Sequence, residues 1–137
     1  MADPRLIRVA WAYPASLVVP VAGLGVLMLA WPAGLGVGWA MLMGLAGLVG
    51  WTLIEYLLHR FVLHRVEPFR AWHVEHHRHA TDPIRVPLSF SIALVLSMMV
   101  LPVLLSGFDG LAVPLAMGLL IGNVLQESVH ERLHLRE

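Results

Sequence analysis

The run Gly50-Trp51-Thr52-Leu53-Ile54-Glu55-Tyr56-Leu57-Leu58-His59-Arg60-Phe61-Val62-Leu63-His64 decides how this chain is read. Its first half continues an apolar stretch that begins at Leu35, and that stretch runs directly into two histidines five residues apart. Further along come Trp72-His73-Val74-Glu75-His76-His77, with His79 just beyond, and later His130-x-x-x-His134. Six of the eight histidines thus lie between residues 59 and 79, two lie at 130 and 134, and there are no others. Imidazole is the usual protein nitrogen ligand for zinc and iron, so a cluster this dense in an apolar chain points to a metal site.

Composition narrows the alternatives. The chain has 137 residues, enough for one domain over 1–137, and 58% of them are apolar with only 13% charged. That balance is too apolar for an ordinary soluble fold and places the chain in a bilayer. With no cysteine there are no disulfides, Cys-ligated iron–sulfur clusters or Cys-type zinc sites, so a metal must be held by nitrogen and oxygen. Formal neutrality gives no reason to expect a nucleic-acid partner.

A hydrocarbon core needs roughly 20 helical residues. Residues 15–31, 35–58, 88–106 and 111–128 meet that length or approach it, the first and last being short enough to tilt or dip. Pro32-Ala33-Gly34 joins the first two and Gly107-Phe108-Asp109-Gly110 the last two, connections suited to tight helical hairpins. The expected fold is all-α and integral to the membrane, with four transmembrane helices arranged as two hairpins. A histidine-rich, metal-binding linker over 59–87 would cap them.

All nine basic residues are arginines: Arg5, Arg8, Arg60, Arg65, Arg70, Arg78, Arg85, Arg132 and Arg136. They fall in the N-terminal arm, the linker and the C-terminal tail, so the positive-inside rule puts both termini and the histidines in the cytoplasm. A bacterial inner membrane or the endoplasmic reticulum fits that orientation. Arg5 and Arg8 before an apolar run are also the start of a secretory leader, but Trp31-Pro32 stands where a small-residue cleavage pattern belongs. Ala40-x-x-x-Gly44, Ala46-x-x-x-Gly50 and Gly118-x-x-x-Gly122 have the small-residue spacing that lets helices approach closely in lipid.

On a helix, His73, His76 and His77 share one face, and His130 and His134 stack a turn apart. His59 and His64, five apart, diverge by roughly 140° on a regular helix. They serve either two ions or one ion across a helix break. Seven positioned imidazoles, His59, His64, His73, His76, His77, His130 and His134, exceed the needs of one ion and favour two. His79 falls outside the pattern and reads equally well as a surface residue. Glu55 lies one turn before His59, and Asn123, Glu127, His130, Glu131 and His134 form a polar stripe on the last helix. Glu55, Glu127 and Glu131 are placed to accept the free N–H of a ligating imidazole. Glu67, Glu75 and Glu137 read as surface partners of arginines.

Glu55–His64 followed by Trp72–His77 resembles the fatty acid hydroxylase / sterol desaturase superfamily of membrane di-metal oxygenases, whose motif order is HxxxxH, HxxHH, HxxxH and a final HxxHH. The resemblance covers essentially the whole chain. It implies that the seven histidines ligate two iron ions, replaceable by zinc on purification, that activate O2. It also implies a lipid substrate, such as a fatty acyl chain, sterol or carotenoid, and an electron donor of the cytochrome b5 or ferredoxin type. Hydroxylation and desaturation are both in its range, and the oligomeric state is open. The final HxxHH is missing before Glu137, which suggests either a piece of a longer protein or a chain with an incomplete second metal position. The Glu-x-x-His spacing at Glu127–His130 and Glu131–His134, or a dimer sharing ligands, offers a substitute. Two other readings are a haem-binding membrane protein and a catalytically incomplete metal-binding or transport protein. The first wants its histidines within the bilayer, and the second wants ionisable residues threading through all the helices.

Overall fold

The computed structural model describes residues 10–79, 85–106 and 110–134. Its helices are α1 (Val18–Leu29), entered through a 3-10 turn at Ala15–Leu17, α2 (Val37–Leu57), α3 (Phe69–Arg78), α4 (Leu88–Ser106) and α5 (Ala112–His134). A π-helical turn, Leu58–Leu63, extends α2. Two short strands, β1 (Ala10–Ala12) and β2 (Arg85–Pro87), pair antiparallel with Trp11 opposite Val86. Three helical stretches are long and apolar enough to cross a membrane: Val37–Leu63, Leu88–Ser106 and Ala112–Leu133.

The sequence expectation needs two corrections. The first segment is helical only over Ala15–Leu29, about 22 Å at 1.5 Å per residue and short of a bilayer core. The last helix runs to His134, so its polar stripe stands on an unbroken helix, as the spacing implied. Finally, α1 and α2 follow one another through a turn with Gly34 at φ +79, yet they do not pack as a hairpin. The centre of the bundle is α5, which packs against α2 most extensively and also against α4 and α1, while α1 lies on α4 and α5.

Side-chain size explains this arrangement. Gly47 and Gly118 leave no room for a Cβ, because one would meet the backbone of Leu115 and Leu119 or of Gly44 and Leu48 respectively. A Cβ on Gly122 would stand 2.7 Å from that of Trp51. Backbones that meet this closely exclude a third helix, so α1 settles on the opposite side of α5. There Gly23 faces Val95 and Leu120. Leu27, Trp51, Val95, Met98, Ala116, Leu119 and Leu120 form the core. The outward faces are equally apolar, with Leu29, Val37, Met41 and Leu105 all more than two-thirds exposed. Aliphatic surface around the whole circumference suits lipid and not water.

Candidate metal centre

The π-helical turn resolves the awkward spacing of His59 and His64. Its ladder is one residue wider than an α-helix, and the His64 N–H donates to the His59 carbonyl oxygen at 3.3 Å. This brings round to one side two side chains that a regular helix would splay, leaving their ring centroids 4.9 Å apart. A widened turn in an unbroken helix thus brings the two rings together. On the outer face, Arg60 donates to the Tyr56 hydroxyl and lies over the Phe61 ring.

α3 lies across this turn. The Glu67 carboxylate accepts from the Ala71 N–H at 3.3 Å and pairs with Arg70 at 2.7 Å, satisfying the first turn of the helix. His73 and His77, one turn apart, project toward the π-helical pair. The His73 ring lies 4.6 Å from both His59 and His64 and 4.5 Å from His77. His73 is buried at 8% exposure, whereas His64 and His77 are exposed. Burial, and then the neighbouring rings of His59, His77, His64 and His76, push the His73 imidazole down to about 4. It is therefore neutral, the form that binds metal, at ordinary pH.

These donors fit an ion. One nitrogen from each of His59, His64 and His73 lies within 4.8 Å of the others. Nitrogens that share one cation through bonds of about 2.1 Å lie about 3.0–3.4 Å apart, so the three rings close on an ion by moving inward by about 1 Å or more. The Nε2 atoms of His73 and His77 are 3.0 Å apart, which matches neighbouring ligands at right angles. A hydrogen bond between two rings gives the same distance, so the three-nitrogen group of His59, His64 and His73 is the stronger sign.

His76 stands between this group and α5, its ring 5.8 Å from His77 and 5.7 Å from His130 between centroids. His73, His76 and His77 thus stay together on α3, with His76 nearest to α5. Glu131, at the same level of α5, is buried. Glu55 Oε1 lies 3.7 Å from His59 Nδ1, within reach of a hydrogen bond after a slight adjustment. His134 ends α5, and its side chain lies outside the described residues, as does Glu137. His79 is exposed with Nδ1 3.1 Å from Glu75 Oε1, and Arg78 pairs with the same carboxylate at 3.7 Å. Glu67 and Glu75 are therefore surface partners of arginines, as expected from the sequence.

Beneath the rings is a cavity of about 560 Å³ between the ends of α2 and α5 and the starts of α1 and α4. His59, His73, His76 and His130 line one end, and Leu58, Val62, Phe90, Leu94 and Val95 supply apolar walls. Buried Ser16 donates to the Glu127 carboxylate across its α1 side. Ser16→Ala leaves that carboxylate without its hydroxyl donor and is expected to destabilise the protein by about 1–3 kcal/mol. A thermal melt in detergent checks this, and an unchanged midpoint would show the contact to be neutral. Nothing in the sequence marked Ser16, a lone serine 111 residues from its partner. Gln126 was also missed, although it lies one turn after Asn123 on the recognised stripe.

No match was found among curated proteins or solved structures. A family model described as fatty acid hydroxylase matches residues 44–137, a span that contains all eight histidines and more than half of the chain. With its clustered imidazoles set over an apolar cavity, this chain belongs to the fatty acid hydroxylase family.

Proposed function

We propose that the protein is an integral-membrane lipid hydroxylase, or desaturase, working with two iron ions, O2 and an external one-electron donor such as a cytochrome b5 or ferredoxin-type protein. The observation that carries this reading is the cluster of His59, His64 and His73, of which His59 and His73 line a cavity with apolar walls together with His76 and His130. Arginines confined to the arm, linker and tail support a cytoplasmic position for that mouth.

His59, His64, His73 and His77 would hold one ion. His76 and His130 would contribute to a second, with His134 and Glu131 nearest to them in sequence. When bound, such a centre supplies the oxidising power that removes hydrogen from an unactivated C–H bond. The chain's own residues do the rest. The π-helical turn and α3 fix the imidazoles before metal arrives, and burial keeps His73 unprotonated. Glu55 is placed to accept the His59 Nδ1 proton and so fix its tautomer. Leu58, Phe90, Leu94 and Val95 exclude water from the reacting segment of the lipid. Hydroxylation consumes a C–H bond, O2, two electrons and two protons and yields an alcohol and water. Desaturation under the same supply yields an alkene and two waters.

The test is reconstitution in nanodiscs with Fe(II), a ferredoxin-type reductant and O2, on fatty acyl, sterol and carotenoid substrates followed by mass spectrometry. A lipid product gaining one oxygen or losing two hydrogens is expected, dependent on O2 and absent in His73→Ala. An iron-loaded, reduced protein that changes none of these lipids would overturn the proposal.

A further inference from the structure

Asn123 and Gln126 sit on α5 within a stretch apolar enough to cross a membrane, and both line the cavity. Among the described residues, neither side-chain amide has a hydrogen-bond partner, in contrast to Glu127 beside them, which has Ser16. An amide at membrane depth is costly unless something meets its donors and acceptor. Here the amides line the space a ligand would occupy, between apolar side chains such as Leu94 and Val95 and polar ones such as Ser91 and Glu127. Asn123 precedes His130 by seven residues, about 10 Å along the helix, and Gln126 precedes it by four, about 6 Å.

Taking the lipid-oxidising reading as its basis, we infer that Asn123 and Gln126 form a polar subsite that binds an oxygen function inside the lipid. A keto or hydroxyl group would sit about 6–10 Å from the histidines, on the membrane side of the carbon to be oxidised. The cavity then selects an oxygenated lipid over a plain hydrocarbon chain, and the distance between amides and histidines sets which carbon is presented. The carboxamide N–H donates to the carbonyl or hydroxyl oxygen, and a hydroxyl can return a hydrogen bond to the carboxamide oxygen.

Binding of 7-tetradecanone and of tetradecane, measured by calorimetry on the metal-loaded full chain in one detergent, tests this without turnover. Wild type is expected to prefer the ketone by about three- to tenfold, the worth of one or two hydrogen bonds. N123L and Q126L should each reduce that preference, and the double variant should abolish it while binding tetradecane at least as well. Leucine is favoured at membrane depth, so these variants are expected to fold, and the single variants decide should the double fail to fold. Equal binding of both probes by wild type, as expected if the amides are merely hydrated, would overturn the inference. So would a preference that survives in the variants. Lipid oxidation assayed on the same wild-type sample separates the two readings: selective binding without oxidation sinks the oxygenase, and oxidation without amide-dependent selectivity sinks only the subsite.

Discussion

His73→Ala is expected to cost the protein one bound ion per chain and to lower lipid oxidation by more than about a hundredfold. Losing even an outer partner of a metal ligand typically costs ten- to a hundredfold, and His73 is central among the four rings. It lies within 4.6 Å of His59, His64 and His77, and it alone of the four is buried. Without it the others are left as a π-helical pair and a solvent-facing residue on α3 with nothing between them. His76→Ala should behave differently, because its ring stands beside His130 on α5 and touches the first group through His77 alone, away from His59 and His64. That variant is expected to lose the second ion while keeping the first. Elemental analysis of both proteins, purified side by side, makes the comparison. Equal losses in the two variants would mean that the imidazoles form a single shared site and that the division between His73 and His76 has no chemical meaning.

The second large effect is expected far from the histidines. Gly118→Leu should destabilise the bundle by about 3 kcal/mol or more, at the upper end of what overpacking costs. The first added carbon would overlap the Gly44 carbonyl oxygen and stand 2.9 Å from the Leu48 nitrogen. Both are backbone atoms and cannot rotate aside, so α2 and α5 must separate. In lipid, where apolar side chains gain little by leaving their surroundings, close backbone approach is a main source of helix association. Gly38→Ala is the control, since nothing lies within 4 Å of the position, and it should be neutral or stabilising by up to about 1 kcal/mol. Unfolding temperatures in detergent distinguish the two. A Gly118→Leu protein as stable as the control would show that the α2–α5 contact does not hold the bundle together.

Much of this was legible in the sequence because hydropathy and histidine spacing are local signals. The stretch 88–106 coincides with α4, and 35–58 covers α2 but stops short of the π-helical turn that carries the helix to Leu63, since long apolar runs bounded by breakers admit few readings. Pairing between helices was not legible. Short connections favour hairpins, but the competing interaction, Gly44 and Gly47 against Gly118, joins residues about 70 positions apart. The spacing Ala46-x-x-x-Gly50 suggested a neighbouring face, yet Gly47 meets the backbone of α5 and Gly50 makes only ordinary contact with Leu119. The approach of His76 to His130 was hidden for a related reason. Position on a helix fixes which side chains can reach a common partner, while α5 determines which of them finds one.

The π-helical turn changes what the interval between two histidines means. In a regular helix, side chains four apart meet and those five apart diverge; in this widened ladder five does the work of four. Motif spacing in this chain therefore records the local pitch of the backbone as well as the chemistry of its donors. Removing one of the four intervening residues would let an ordinary turn bring the same two rings together, whereas adding one would carry them out of step.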